Sequence, residues 1–416
     1  MIIFLISAAF ALRLPQVQVV KEDEKQSVWL IQESRSAWSV AHICFQSEQA
    51  IPSLASLETL FSLKIIEKTE AFLLHGVELH QRVGQDEVCL QMGALKEELP
   101  WAIEQSMEIM QNTRWKRKEW KEVQELYRQE IQRESGKLAS LHKLGEQVVW
   151  EEHYWLAWDW RFWKINRKYK NFQKSAKIKM VIVGDWTLEE LERVLPSFSL
   201  QKKAAGRVKK SEKQLSPIPE CALIQIDGFP QVAVSQRFSF PDLSATDLQY
   251  LSFILGYGTR SRLMTELREN KGLVYSLGAV VEGKNIVVRY SLPPESVKEA
   301  MSLVFAIISG LSSKPITEQE FLRAKGVMFQ RYYQAIEDYQ QIASIYTLSS
   351  QPDYWGKQMQ KRLSYSYDFF QKEPQFTQHH NIITGLSSNR EEIVNYCKQV
   401  KELSFSQLVE LKSIKD

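Results

Sequence analysis

Histidine provides the imidazole ligands of many zinc sites, and the chain contains seven histidines. No pair of them shows the His-Glu-x-x-His spacing that places two imidazoles on one face of a helix. The nearest pair is His75 and His80 in HGVELH. Residues five apart on a strand point to opposite faces, so these two cannot bind one ion there. His379 and His380 lie in a polar segment that is typical of a surface loop, so the sequence predicts no histidine-based metal site.

One segment of the second half has an unusual combination of short motifs. Residues 256–279, GYGTRSRLMTELRENKGLVYSLGA, join a glycine loop, Ser-Arg-Leu, Leu-Arg and a Gly-Leu-x-Tyr-Ser strand. This order closely resembles the C-terminal-domain signature of the insulinase/pitrilysin metallopeptidase family. Two earlier segments, FLLHGVELHQRVGQDEVCLQMGALKEELPWAIEQSMEIM and KMVIVGDWTLEELERVL, resemble the family's strand pair with its helix and the end of its first domain. The resemblance covers most of the chain and is weak beyond residue 350.

The resemblance implies a role for Arg268 and Tyr275. Family members place an arginine and a tyrosine, seven residues apart in the second domain, over the substrate at the zinc cleft, and these two residues match that pair. A guanidinium can donate to a substrate carbonyl, and a phenol can donate to the oxyanion that develops during attack. The alternative is a helix-end arginine and an edge-strand tyrosine without a chemical role. Arg262 in the same segment is expected to be structural.

The family's zinc ligands, in contrast, are not matched. Its first domain carries His-x-x-Glu-His and a downstream glutamate, which bind zinc and activate water. Here PSLASLETLF takes that place, so Ser56 and Thr59 stand where the imidazoles are expected. Glu58 and Glu130 correspond to the base and to the third ligand. A lone carboxylate cannot hold zinc against water, so we interpret both as vestigial or as ordinary helix surface and expect no cofactor on this chain.

Composition and cysteine spacing exclude several other classes of protein. The 53 Lys and Arg residues nearly balance the 50 Asp and Glu residues, which argues against a nucleic-acid or anionic-membrane partner. The four cysteines, at positions 44, 89, 221 and 397, show no Cys-x-x-Cys spacing. This pattern predicts isolated buried thiols rather than a zinc knuckle or a redox pair.

The first 18 residues contain IIFLISAAFAL with Ala9-Phe10-Ala11, which favours a secretion signal and a periplasmic or envelope location. The stretch is shorter than the roughly 20 residues that a membrane-spanning helix needs. It lacks a preceding Lys or Arg, so the alternatives are a start further upstream or a first strand of the fold.

Both halves of the chain repeat the order strands, helix, strand pair and helices, which predicts a duplicated α+β unit. Ser244 and Asp247 resemble a capping box before a helix, and SRLMTELREN predicts a second, short helix. The polar, lysine-rich residues 201–220 predict a linker between a first domain, 19–200, and a second domain, 221–416. The aromatic-rich residues 150–170 predict core, with a peptide-binding wall or a partner interface as the alternative.

Taken with the resemblance, these patterns predict two homologous α/β-sandwich domains. Each is a mixed or antiparallel sheet with helices on one face, and together they form half of a clam-shell peptidase. The implied function is the inactive-alone subunit of a heterodimeric zinc peptidase, whose homologous partner holds the zinc and whose substrates are peptides. The alternative is a non-catalytic peptide-binding or assembly module. A self-sufficient hydrolase is disfavoured because no Gly-x-Ser-x-Gly elbow is present.

Overall fold

The structure is a computed structural model that describes residues 15–46, 64–65, 68–83, 87–111, 116, 118, 121, 142, 162–194, 220–225, 231–349, 351–367, 374–385 and 400–404. It contains two compact units. Unit 1 comprises Met1–Tyr127, Ala157–Lys213 and Gln330–Ser364, and unit 2 comprises Arg128–Leu156, Gln214–Phe329 and Tyr365–Asp416. The units are interleaved in sequence, whereas the predicted domains 19–200 and 221–416 are contiguous. Of the predicted linker 201–220, only Glu220 lies within the described residues.

In the second half the described elements follow the predicted order of strands, helix, strand pair and helices, and two further strands that the sequence did not predict, Gln378–Thr384 and Val400–Ser404, come after them. The strands are β1 (Val17–Glu22), β2 (Gln26–Gln32), β3 (Trp38–Gln46), β4 (Glu78–Val83), β5 (Glu87–Leu95), β6 (Lys177–Gly184), β7 (Cys221–Gln225), β8 (Val232–Ser239), β9 (Ser276–Glu282), β10 (Asn285–Leu292), β11 (Gln378–Thr384) and β12 (Val400–Ser404). The helices are α1 (Leu99–Gln111), α2 (Phe162–Ser175), α3 (Leu188–Val194), α4 (Ala245–Gly256), α5 (Val297–Ser309), α6 (Glu318–Glu337), α7 (Tyr339–Leu348) and α8 (Tyr354–Leu363). Among the described helices, none combines the length and the apolar character needed to cross a bilayer.

Unit 1 is built on a six-stranded mixed sheet with the order β1-β2-β6-β3-β5-β4. The central strand β3 is buried along both faces because helices cover each of them. On one face Ser106 of α1 contacts Met92, and on the other His42 hydrogen-bonds to Gln340 of α7 at 2.8 Å. The α7 face also packs Trp29 and further apolar residues of β2, β3 and β6 against this helix. The sequence predicted helices on one face of each sheet only. Helix α7, which covers the other face, comes from the second half of the chain, so the order of elements in the first half did not indicate it.

The first strand overlaps the predicted secretion signal. Strand β1 begins at Val17, which pairs with Ile31 of β2, so the last two residues of the predicted segment 1–18 belong to the sheet. Residues 1–14 lie outside the described part of the chain. A cleavage site compatible with this strand therefore falls before Val17.

The prediction of isolated thiols is wrong. Cys44 of β3 and Cys89 of β5 are directly opposite in the antiparallel register and form a disulfide. Cys221 is also disulfide-bonded, to a partner outside the described residues. The error has a physical reason: 45 residues separate Cys44 from Cys89, and only the strand register brings them together.

Unit 2 repeats the architecture with a second six-stranded mixed sheet, ordered β12-β7-β11-β8-β10-β9. Its helix α4 begins at Ser244 with the predicted capping box, in which Ser244 Oγ accepts from the backbone of Asp247 and the Asp247 carboxylate accepts from the backbone of Ser244. Helix α4 packs on the edge strand β9, where Gly256 approaches the backbone of Ala279 so closely that a side-chain carbon would not fit. The α+β fold class with two sandwich-type units is confirmed.

The expectation that His379 and His380 lie in a surface loop is wrong. Both belong to β11, which lies between β7 and β8 in the sheet. His379 Nε2 donates a hydrogen bond to Oδ1 of the buried Asn381 at 2.9 Å, and the imidazole stacks on Phe238. Burial lowers the pKa of His379 to about 4, so the imidazole is neutral near pH 7. The polar side chains of this strand form hydrogen bonds with one another and with the neighbouring strand β8 inside the sheet. A count of hydrophobic residues along the sequence does not detect a strand of this kind.

Candidate functional site: an exposed arginine and tyrosine

The segment with the family-like motif contains two kinds of helical turn. A short α-helical turn, Arg262–Met264, continues directly into a π-helix, Thr265–Asn270, where the sequence predicted one short helix. π-helical turns are rare and occur frequently at functional sites. Arg268 lies in the π-helix and Tyr275 immediately precedes β9, so the matched pair flanks one tight connection.

Backbone hydrogen bonds fix that connection. The N–H of Leu273 donates to the carbonyl of buried Leu267 at 2.7 Å, which closes the turn after the π-helix. Gly272 has a φ of 63°, a left-handed conformation that glycine adopts without steric cost. The turn therefore sets the path of the backbone from Arg268 to Tyr275.

Strand β10 holds the backbone at the tyrosine. The N–H of Tyr275 donates to the carbonyl of Ser291 at 2.8 Å, and the hydroxyls of Ser276 and Ser291 are 2.6 Å apart. These bonds hold the main chain while leaving the phenol ring outside the sheet. The side chain of Tyr275 is 55% exposed.

Arg268 is exposed as well. Within the described part of the chain, neither its guanidinium nor the phenol of Tyr275 has a hydrogen-bond or ion-pair partner. An ordered backbone that presents an unpaired guanidinium and an unpaired phenol leaves both groups available for an external ligand. The structure thus places the two predicted residues on one surface segment of unit 2.

Arg262 behaves in the opposite way and is structural, as predicted. Its guanidinium binds both carboxylate oxygens of Glu320, with the shorter contact at 2.7 Å. It also donates to the backbone carbonyls of Lys314 and Pro315, each at 2.8 Å. Four bonds from one planar group tie the start of the helical turn to the loop before α6.

Sequence reasoning missed Glu320, although a signal for it exists. Thr317 and Glu320 form a Thr-x-x-Glu capping box at the start of α6, with the backbone N–H of Thr317 donating to Glu320 at 2.8 Å. Burial would raise the pKa of Glu320, but hydrogen bonds from Arg262 and Thr317 outweigh it and lower the pKa to about 2. The Glu320 carboxylate is therefore ionised, and able to pair with Arg262, at every pH well above 2.

This pKa predicts an acid-dependent loss of stability. Because the pKa of Glu320 is lower in the folded chain, about 2, than its ordinary value of 4.5, the stabilisation is complete above pH 4.5 and is lost as the pH falls toward 2. Glu320→Gln is expected to lower the free energy of unfolding by roughly 2 kcal/mol at pH 7. Urea unfolding at pH 7, 4 and 3 measures it. A difference between variant and wild type that stays constant over this range would contradict the assignment.

The positions that correspond to the family's zinc ligands, Ser56, Glu58, Thr59 and Glu130, lie outside the described residues. Their chemistry can still be compared with what zinc needs. Protein zinc sites use three or four ligands, drawn from imidazole, thiolate and carboxylate groups. Ser56 and Thr59 offer only neutral hydroxyls, and Glu58 and Glu130 provide only two carboxylates. This donor set does not fit a resident zinc ion.

Among the described residues, one group of three side chains has ligand atoms close together: Cys44, Glu87 and Cys89. Its sulfur atoms are bonded to each other in the disulfide, so they offer no thiolate. Glu87 accepts from Arg82 at 2.8 Å. The group is a cross-link with an adjacent ion pair rather than a metal centre.

Comparisons with known proteins agree with this fold. Residues 164–328, which include Arg268 and Tyr275, match the family described as Peptidase M16 inactive domain. A protease from Helicobacter pylori is similar in structure, with a TM-score of 0.73 and 14% identity over 90% of this chain and 100% of that chain. A peptidase M16 inactive domain from Pseudomonas fluorescens gives a TM-score of 0.71 and 15% identity, over 89% of this chain and 98% of that chain. Residues 164–328 thus match a domain of the M16 peptidase family, and the fold of the chain is similar to that of solved M16-like peptidases.

Longer solved proteins contain the same fold in part of their length. The periplasmic protease PqqL from Escherichia coli aligns with a TM-score of 0.62 and 15% identity, over 91% of this chain and 48% of that one. At such identities the solved structures establish the fold and leave substrate and partner open. No curated protein sequence matches the chain.

Proposed function

We propose that this chain is the non-zinc subunit of a two-chain insulinase/pitrilysin-like peptidase. In this proposal Arg268 and Tyr275 act on a peptide held at the zinc site of a homologous partner subunit. One observation carries it: both side chains are exposed and lack partners within the described residues, although their backbones are fixed by hydrogen bonds. The match to the family's inactive-domain description supports the same assignment.

The chemistry of the pair suits peptide hydrolysis. The guanidinium of Arg268 would donate to a carbonyl oxygen of the substrate and orient the peptide, because its donors lie in a rigid plane. The hydroxyl of Tyr275 would donate to the oxygen that becomes negatively charged when the scissile carbonyl is attacked. The partner's zinc would supply the activated water.

The disulfides support a location outside the reducing cytosol. Cys44 pairs with Cys89, and Cys221 is also bonded, so every described cysteine is oxidised. Disulfides of this kind form and persist in oxidising compartments such as the bacterial periplasm. We therefore place the chain in the periplasm or cell envelope, as the apolar N-terminal stretch suggests.

Reconstitution tests the proposal. The purified chain is expected to contain no stoichiometric zinc and to cleave no peptide in a quenched fluorescent peptide library. Adding the homologous subunit with an intact His-x-x-Glu-His motif, sought in the neighbouring reading frame, is expected to give a stable complex with zinc-dependent cleavage. Cleavage at the same rate by the zinc subunit alone would exclude a catalytic contribution of this chain.

A binding or assembly module is the second outcome that this experiment distinguishes. In that case the complex forms, but substitution of Arg268 and Tyr275 leaves its activity unchanged. The aromatic-rich segment 150–170, from which this alternative came, lies largely outside the described side chains. Tyr169 is described; it is buried and donates to the carbonyl of Met110 at 3.0 Å, as the prediction of core requires.

A further inference from the structure

Helix α2 carries a concentration of positive charge that the near balance over the whole chain conceals. Its sequence, FWKINRKYKNFQKS, contains five Lys or Arg residues and no Asp or Glu. Among the described helices, α8 has the next largest excess, with three such residues, and Lys357 of α8 is paired with Asp353. The excess on α2 has no acidic counterpart within the helix.

The exposed cations of α2 lie on one face of the helix. Arg167, Lys170 and Lys174 follow one another at spacings of three and four residues, which places them in a row about 10 Å long. All three side chains are exposed, and within the described part of the chain none of them has a hydrogen-bond or ion-pair partner. These three residues form the basic row of α2.

The opposite face of α2 packs against unit 1 and turns the basic row outward. Tyr169 and Phe172 on that face are buried. Tyr169 donates to the carbonyl of Met110 at 3.0 Å, and Gln173 donates to the same carbonyl at 2.6 Å, which fixes α2 to the end of α1. The two aromatic rings are therefore not available for insertion into a bilayer, and a partner meets the basic row.

A second basic run begins where α2 contacts α1. Gln173 also donates to the carbonyl of Gln111, the last residue of α1, at 3.4 Å. The ten residues that follow, NTRWKRKEWK, contain five Lys or Arg residues and one Glu. Three of them are described, and all three are exposed: Lys116, Lys118 and Lys121. Two segments that are distant in the sequence thus both expose cations on unit 1.

The basic row costs the helix stability instead of contributing to it. Like charges three or four residues apart repel one another on a helix, and this applies to Arg167 with Lys170 and to Lys170 with Lys174. The row is about as long as the Debye length of roughly 8 Å at physiological ionic strength, so the fields of its charges add. A negatively charged surface would be attracted by the sum and would relieve the repulsion.

The chemistry of the row favours an extended anionic surface over one anionic group or an acidic protein. Lysine provides two of its three charges, and the lysine ammonium is a compact charge on a flexible stem without the rigid fork that binds one phosphate or carboxylate. Asn171, on the same face, is exposed and polar, so the row lacks the apolar centre of a protein–protein interface. Each Lys or Arg close to a bilayer of anionic phospholipid strengthens binding about fivefold.

We propose that the basic row of α2 docks unit 1 on a bilayer surface rich in anionic phospholipid, by electrostatic attraction and without insertion. Lys118 and Lys121 are exposed and unpaired within the described residues and would add to the attraction. Neither Arg268 nor Tyr275 belongs to this surface, so membrane docking is independent of the proposed catalytic role. A location in the cell envelope would bring the chain close to such a bilayer.

Sedimentation of the full chain with vesicles measures docking. Vesicles of equal parts phosphatidylglycerol and phosphatidylcholine are compared with vesicles of phosphatidylcholine alone. The wild-type chain is expected to bind the anionic vesicles at low ionic strength, to dissociate as the salt concentration rises and to ignore the neutral vesicles. Arg167→Glu/Lys170→Glu/Lys174→Glu is expected to weaken partitioning more than about a hundredfold, because three attractive contributions of about fivefold become repulsive.

The matched control reverses three exposed cations on other helices. Lys298 of α5, Arg323 of α6 and Lys361 of α8 are exposed and have no hydrogen-bond or ion-pair partner within the described residues. Lys298→Glu/Arg323→Glu/Lys361→Glu changes the net charge by the same amount as the α2 variant. It is expected to bind anionic vesicles within about threefold of wild type, because charges away from the contact are screened.

A neutral variant keeps the result independent of the acidic side chains introduced. Arg167→Gln/Lys170→Gln/Lys174→Gln is expected to weaken partitioning about a hundredfold and to keep the wild-type far-UV circular dichroism, because glutamine favours helix and the row has no partner to lose. Equal losses in the α2 variants and the control would overturn the proposal, and so would equal binding to neutral and anionic vesicles. Binding of the wild type to soluble polyglutamate through the row, with none to anionic vesicles, would also overturn it by assigning the row to an acidic protein.

Discussion

Arg268→Ala is expected to lower kcat/KM of the reconstituted two-chain peptidase by about a hundredfold while the zinc content of the complex stays the same. Arg268 is exposed and unpaired within the described residues, so its removal breaks no ion pair and should not affect the folding of this chain. What is lost is a set of charge-assisted donors to the substrate. Steady-state kinetics on a quenched fluorescent peptide, with zinc measured by atomic absorption, gives both quantities.

Tyr275→Phe separates the hydroxyl from the ring. The substitution keeps the aromatic surface and removes one donor, and the loss of a single oxyanion donor costs about a hundredfold or more in kcat. We expect kcat to fall with little change in KM, because the hydrogen bond strengthens as charge develops. A change in KM alone would indicate that the hydroxyl binds the substrate equally in the ground state and the transition state.

Matched controls come from the same chain. Arg323 of α6 is exposed and has no hydrogen-bond or ion-pair partner within the described residues, and Tyr354 of α8 is 47% exposed. Arg323→Ala and Tyr354→Phe are expected to leave kcat/KM unchanged. If these controls reduce activity as much as the site variants, general surface charge or complex stability explains the effect, and the assigned roles are wrong.

The segments that sequence analysis placed correctly are those whose signals are local. The capping box of Ser244 and Asp247 starts α4, as the sequence predicted. The motif in residues 256–279 also singled out Arg268 and Tyr275, whose exposure agrees with a role in binding and whose catalytic role stays a prediction. Arg262 was correctly read as structural, and its partner Glu320 could have been found from the Thr-x-x-Glu pattern.

Features that depend on distant pairing were not predictable from local patterns. Strand β11 contains two histidines and an asparagine, so it lacks the apolar alternation of a typical strand, yet it lies between β7 and β8. Its polar groups are satisfied by Gln236, which donates to Asn381 at 2.9 Å. Likewise, His42 on β3 meets Gln340 from a helix almost 300 residues later in the chain, at a sequence separation of 298. Such contacts follow from topology, which a window of neighbouring residues does not contain.

The disulfide between Cys44 and Cys89 was missed for the same reason, and it carries the largest expected effect on stability. Both residues are fully buried, at opposite register positions of β3 and β5. Cross-linking residues 45 apart restricts the unfolded chain by about 4 kcal/mol in the chain-entropy description. The double variant Cys44→Ala/Cys89→Ala is therefore expected to lower the free energy of unfolding of unit 1 by about 3–4 kcal/mol.

Urea-dependent hydrogen exchange of residues 38–46 and 87–95 measures this effect where it arises. The exchange midpoint of these strands should shift to lower urea in the double variant, while strands of unit 2 such as β8 and β10 keep theirs. Adding a thiol reductant provides the internal control: it should shift β3 and β5 of the wild type and leave the same strands of the double variant unchanged. A reductant effect of equal size in both proteins would mean that the Cys44–Cys89 disulfide does not stabilise the unit 1 sheet. The inference of an oxidising compartment would then lose its main support.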